Sequence, residues 1–198
     1  FNINEKSAVL NQSLFKEYAQ QYEFDFCVAV DGDGDRLVLS DSKGDVSTGD
    51  EIIYTLALRN KKQNKPGSDC VIGTDMTNEG IKNALEKIGI NFHRTEVGDK
   101  YISRELVKNE LNLGGESSGH IIQREYSESG DANIALIQTL AALEELNLSL
   151  TDVKSKIDYK PQVLESFEVK DMQIIETSEF KKKIESIKKN YSDTRISI

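Results

Sequence analysis

Residues 24–41 read Phe24-Asp25-Phe26-Cys27-Val28-Ala29-Val30-Asp31-Gly32-Asp33-Gly34-Asp35-Arg36-Leu37-Val38-Leu39-Ser40-Asp41: an apolar run, an acidic glycine turn and a second apolar run. Their β-branched and aromatic content predicts a buried strand over 24–30 and another over 36–41. The connection between them carries Asp31, Asp33 and Asp35 at alternating positions, with Gly32 and Gly34 letting the backbone curl until the carboxylates face one point. Three such charges repel one another unless a hard cation sits among them, so a divalent metal loop is the expectation and a solvated acidic turn the bland alternative. An EF-hand fails here, because the sixth loop position is Arg36 where glycine is required and the twelfth is Ser42 where a bidentate glutamate belongs. Three protein ligands leave coordination positions for water or a phosphoryl oxygen, the habit of Mg²⁺. Arg36, beside the metal, is suited to bidentate phosphate contact, against a surface ion pair with Asp35 or Asp41.

Outward from this loop, apolar runs alternate with helical periodicity, which predicts an α/β architecture with crossover connections. Helices are expected over 12–22, 49–60, 77–88, 100–110, 131–146, 150–157 and 179–190. Further strands are expected over 69–73, 91–97, 120–123 and 163–169, and a last one starting at 194–198. The polar stretch 61–68, with Pro66-Gly67, is a surface loop. Helix starts at Thr77-Asn78-Glu79-Gly80 and Ser149-Leu150-Thr151-Asp152 offer side-chain oxygens to open amides, though neither reads as a complete capping box.

A second constellation, Gly114-Gly115-Glu116-Ser117-Ser118-Gly119-His120, leads into the apolar pair Ile121-Ile122. Glycines at both ends expose the side chains between them, and Glu116, Ser118 and His120 supply acceptors and donors of the kind that orient sugar hydroxyls. A serine hydrolase does not fit: the residue two before Ser118 is Glu116, so the nucleophile elbow is broken, and no triad order is evident. A third segment, Thr95-Glu96-Val97-Gly98-Asp99-Lys100-Tyr101, ends a strand and opens a helix, a junction that presents amides to an anion or sugar. Asp99 and Lys100 read equally as ordinary helix-start charges. Gly130-Asp131 opens the long helix and has no assigned role.

Composition narrows the partners. The chain has 198 residues, 37% of them hydrophobic, and a net charge of −9. That is enough for one generous domain or two small ones. The acidic balance argues against nucleic acid. No apolar run approaches the roughly 20 residues that span a bilayer, and the first residues lack a signal-peptide pattern, so a cytoplasmic protein is expected. Cys27 and Cys70 lack CxxC spacing and read as buried, reduced filler. No heptad or edge-strand signal reveals an oligomeric state.

The acidic loop Asp31-Gly32-Asp33-Gly34-Asp35-Arg36, followed by Gly115-Glu116-Ser117-Ser118-Gly119-His120, resembles the paired signatures of the α-D-phosphohexomutases. These enzymes move a phosphoryl group between the 6- and 1-positions of a sugar. The resemblance implies mixed sheets with helices on both faces. It also implies three parts: 1–47 ending the family's second domain, 48–158 forming its third, and 159–198 beginning its fourth. By position it implies Asp31, Asp33 and Asp35 as ligands of Mg²⁺ and Arg36 at the phosphoryl-transfer site. Glu116, Ser118, His120, Asp99 and Lys100 become sugar-phosphate contacts. The 95–101 segment resembles the amino-sugar branch, with glucosamine 1,6-bisphosphate as intermediate and activator. The opening Phe1-Asn2-Ile3-Asn4 resembles it too, although Ser7 and Ala8 replace a frequent cysteine and glycine; mannose and glucose phosphates are the alternatives, and a non-catalytic binding module is another. The T-A-S-H-N-like loop that carries the family's phosphoserine and its R-x-S-G-T-E-P-like phosphate loop do not occur, so a truncated enzyme, inactive by itself, is the expectation.

Overall fold

The computed structural model describes residues 13–165, 168, 169, 171–191 and 194–197. They fall into two compact units, one up to Lys160 and one from Pro161.

The first unit holds two sheets. One is antiparallel, with β1 (Phe26–Val30), β2 (Leu37–Asp41) and β3 (Val46–Ser47) in that order. Its register pairs Val30 with Leu37 across the acidic turn and Phe26 with Asp41 at the far end. The other sheet has the order β5-β4-β6-β7, built from β4 (Cys70–Thr74), β5 (Asn91–Thr95), β6 (Leu113–Gly115) and β7 (Ile121–Gln123). Strand β4 runs parallel to β5 and to β6, and β7 turns back antiparallel on β6, so the sheet is mixed, as expected.

Side-chain alternation explains why helices cover both faces. Val71 and Ile121 join one core with residues of α2 (Gly49–Lys62), α3 (Glu79–Lys87), α5 (Ala132–Leu146) and α6 (Leu150–Ser155). Their neighbours Ile72 and Ile122 point the other way, onto Ile102 and Leu106 of α4 (Asp99–Lys108). The first sheet obeys the same rule. Leu37 and Leu39 enter the large core, while Val38 and Ala29 close over Phe15 of α1 (Ser13–Gln21). Each fully buried leucine of this kind contributes about 1.5–3 kcal/mol.

Several expectations need correction. Helix α2 runs on to Lys62, into the stretch expected as loop. Strands β3 and β6 were not expected; β6 is mostly glycine and exists because β4 and β7 hydrogen-bond to its two edges. The Ser149 start does form a capping box. Ser149 N–H donates to Asp152 Oδ2 at 2.8 Å and Asp152 N–H to Ser149 Oγ at 3.1 Å, since aspartate is long enough to close it. Asn78 caps α3 by accepting from Gly80 N–H at 2.9 Å. Cys27 and Cys70 are free but only half-buried.

In the second unit, a 3-10 turn (Met172–Glu176) precedes α7 (Ser178–Asn190), which buries none of its residues. The strand expected over 163–169 is not formed in its described residues 163–165, 168 and 169, nor is a strand formed over 194–197. Ile198 lies outside the described residues.

Candidate functional site

The acidic turn is held from within. At the end of β1, Asp31 is buried, and its Oδ1 accepts the N–H of Asp35 at 3.1 Å and of Arg36 at 3.2 Å. Gly34 takes φ +73°, the left-handed value that brings the chain round. Carboxylate oxygens of Asp31, Asp33 and Asp35 consequently lie within 4.8 Å of one another.

Electrostatics follow from that crowding. Burial pushes the Asp31 carboxyl up, but the Arg36 hydrogen bond, with its charge, outweighs burial and holds it at about 2. Asp35 moves the other way: burial raises it first, and the negative Asp31 adds to the rise. The Arg36 guanidinium is pushed up by its hydrogen bond to Asp31. Arg36 Nε sits 2.5 Å from Asp31 Oδ2 and 3.8 Å from Asp35. The alternative ion pair weighed for Arg36, with Asp35 or Asp41, therefore finds its main partner in Asp31. Asp41 is occupied elsewhere, accepting the amides of Lys43 and Asp45 in the next turn. Asp35 Oδ1 is buried with no hydrogen-bond partner among the described residues. An all-oxygen donor set with one orphaned buried acceptor fits a hard divalent cation.

The second constellation begins in β6 and turns through 116–119 into β7. Glu116 N–H donates to His120 C=O at 2.9 Å, and Gly119 N–H to Glu116 C=O at 3.0 Å. Gly119 has φ +97°, and a Cβ there would overlap the carbonyl of Leu37. That close approach lets Leu37 N–H donate to Gly119 C=O at 3.0 Å and pairs Arg36 with His120 as an isolated bridge. The two loops are thus stitched backbone to backbone, and His120 Nδ1 lies 2.9 Å from Asp35 Oδ2, a residue 85 positions earlier in the chain. Helix α2 adds a third tie through Gly49 N–H to Ser117 C=O at 3.1 Å.

Glu116 links in the 95–101 segment. Its Oε1 accepts Gly98 N–H at 3.0 Å, and its Oε2 accepts from Ser118 Oγ at 3.3 Å. Together Asp31, Asp33, Asp35, Arg36, Asp99, Glu116, Ser118 and His120 line one open cleft of about 470 Å³. Lys100 is not among its lining; the ammonium lies 4.7 Å from the ring of Tyr101. Val97 and Gly98 also line the cleft. Sequence alone assigns them no role, because an exposed valine and a backbone amide carry no chemical signature there.

This architecture has known counterparts. Residues 48–158 match the family described as phosphoglucomutase/phosphomannomutase, alpha/beta/alpha domain III, and the chain belongs to that family. It is 35% identical over 184 residues to the phosphoglucosamine mutase of Staphylococcus haemolyticus, covering 93% of this chain and 41% of that protein. With the phosphoglucosamine mutase of Thermodesulfovibrio yellowstonii it shares 38% identity over 168 residues, 85% of this chain and 37% of that one. The chain therefore spans about two fifths of the length of these relatives. Among solved structures, a phosphoglucomutase/phosphomannomutase family protein from Burkholderia thailandensis superposes with TM-score 0.64 at 17% identity, covering 82% of this chain and 34% of that one. A serine-to-alanine variant of the N-acetylphosphoglucosamine mutase of Aspergillus fumigatus, solved with glucose 1,6-bisphosphate, gives TM-score 0.56 at 15% identity over 73% of this chain and 36% of that one. These two likenesses speak for the fold.

Proposed function

We propose that this chain is the metal- and sugar-binding portion of a phosphoglucosamine mutase that interconverts glucosamine 6-phosphate and glucosamine 1-phosphate through glucosamine 1,6-bisphosphate. The observation that carries the reading is the single cleft in which the aspartate cluster and the Glu116–Ser118–His120 loop face one another, joined by the Asp35–His120 contact. Identity to named phosphoglucosamine mutases over most of the chain supports the amino-sugar substrate.

Within this proposal residues 1–47 close the second domain, 48–158 form the third and 159–198 open the fourth. Asp31, Asp33 and Asp35 hold Mg²⁺, which when bound neutralises charge on a phosphoryl oxygen. Arg36, its side chain 44% exposed, can turn from Asp31 to offer two parallel N–H bonds to a phosphate. Glu116 accepts from sugar hydroxyls, and Ser118 donates or accepts as the ring demands. Asp99 meets the substrate at the cleft's rim, and Lys100 adds positive charge beside it. A mutase must hold its sugar in two opposite orientations, and an open polar cleft suits that better than a tight apolar pocket. The serine that carries the phosphoryl group belongs to sequence outside these residues.

The test is a coupled mutase assay on the longest polypeptide the gene encodes, with Mg²⁺ and a trace of sugar bisphosphate, comparing glucosamine, glucose and mannose 6-phosphates. Preference for glucosamine 6-phosphate is the expected result. Preference for glucose or mannose would replace the substrate, and no turnover by a folded protein would replace the enzyme with a binding module.

A further inference from the structure

The turn Gly130-Asp131-Ala132 touches both halves of the cleft. Ala132 N–H donates to the carbonyl of Gly34, inside the acidic loop, at 2.9 Å. On the other side, a Cβ built on Gly130 would lie 2.5 Å from His120 Cε1 and 2.7 Å from both Nδ1 and Nε2. Its three nearest neighbours are all atoms of that one imidazole. Gly130 is not among the glycines with positive φ, so the backbone there accepts any residue and the obstacle to a side chain is His120. The turn itself is fixed independently of the cleft: Asp131 Oδ1 accepts Asn133 N–H at 2.9 Å and Ile134 N–H at 3.0 Å, capping α5.

His120 is buried, with Nδ1 on Asp35 Oδ2 and Nε2 without a hydrogen-bond partner among the described residues. Among the described residues, the polar contact that fixes the ring's orientation is therefore the one to Asp35. A side chain at position 130 would press on the imidazole and turn Nδ1 away from that carboxylate. We propose that Gly130 is a positioning residue: its bare Cα leaves the space in which the His120 imidazole lies while it orients the Asp35 carboxylate toward the metal position. The inference rests on the metal reading above and deepens it. Groups that orient a metal-binding carboxylate typically matter about 10–100-fold for metal affinity.

The test uses the 198-residue chain, whose two histidines, His93 and His120, give two imidazole spin systems in a long-range ¹H–¹⁵N spectrum. The wild-type His120 pattern is the reference, and exposed His93 serves as internal control. Gly130→Ala should change the His120 ¹⁵N pattern, leave His93 unmoved and weaken Mg²⁺ binding by calorimetry about tenfold. In a His120→Ala background the same change should be silent in thermal stability. An unaltered His120 pattern in Gly130→Ala would overturn the proposal. Were Gly130→Ala to unfold the chain, recovery of the fold in Gly130→Ala/His120→Ala would support it, and failure to recover would overturn it. Absence of any Mg²⁺ binding by wild type would instead strike the metal reading, leaving the imidazole spectrum to decide the role of Gly130.

Discussion

Leu37-Val38-Leu39 and Val163-Leu164 are both β-branched or leucine-rich runs that predict strand, yet one is fully buried and the other lies open. Leu37 and Leu39 are 0% exposed, whereas Val163 and Leu164 are 82% and 74% exposed. The difference is partnership. Strand β2 hydrogen-bonds to β1 on one edge and β3 on the other, and its two faces meet two separate cores. Residues 163–165 pair with no strand among the described residues. Hydrophobic alternation states what a segment can bury, and a neighbouring strand decides whether it does.

The sharpest way to break this comparison is a matched pair of truncations. Leu39→Ala should cost about 2–5 kcal/mol in urea unfolding, as core cavities do, while Leu164→Ala should stay within about 0.5 kcal/mol. Equal losses would mean that the two runs are equally packed.

Charge extends the contrast. Asp50, at the start of α2, is buried, with Oδ2 accepting Asn78 N–H at 3.0 Å and Oδ1 lacking a hydrogen-bond partner among the described residues. Burial pushes its carboxyl from 3.8 to about 7. A folded value raised above the unfolded one means that the folded chain holds the extra proton between them. Its contribution is therefore fully present below the unfolded value near 3.8 and is lost as pH rises toward 7. Asp50→Asn should remove this fall, roughly 1.4 kcal/mol per pH unit at most within that window, and leave the variant more stable than wild type at pH 8. Urea unfolding at pH 4, 6 and 8 measures it; an unchanged pH profile would show that Asp50 does not titrate in this way.

A smaller effect is expected where the two loops meet. Gly119→Ala forces a side chain into a positive-φ position against the Leu37 carbonyl and should cost about 1–3 kcal/mol. It should also disturb the amide signals of both Leu37 and Glu116. If only the signals around position 119 move, the backbone stitch between the loops is weaker than described.

Much of this was legible. Asp31, Asp33 and Asp35 converge because aspartate alternating with glycine brings carboxylates together after a buried strand, and the 114–120 segment announced itself by its glycines. What the sequence did not reveal depends on contacts across long separations. Asp35 meeting His120, 85 positions away, goes with the pairing of Leu37 and Gly119, which no local pattern encodes. Strand β6 lacks alternation because two of its three residues are glycine, and Thr48 with Glu51 forms a helix-start pair, Thr48 N–H to Glu51 Oε2 at 2.7 Å, that went unread beside the stronger signals around it. Lys100 fails to line the cleft for a simpler reason: successive residues in the first turn of a helix point about 100° apart, so Asp99 and its neighbour cannot both face it.

The central claim is that the three aspartates form one divalent site in the cleft. Calorimetric titration of the 198-residue chain with Mg²⁺ tests it most directly, run beside Asp33→Ala, whose side chain is exposed. One Mg²⁺ per chain, with affinity reduced at least about tenfold in Asp33→Ala and an unchanged circular dichroism spectrum, is the predicted result. Mg²⁺ binding of equal strength in wild type and Asp33→Ala would contradict it.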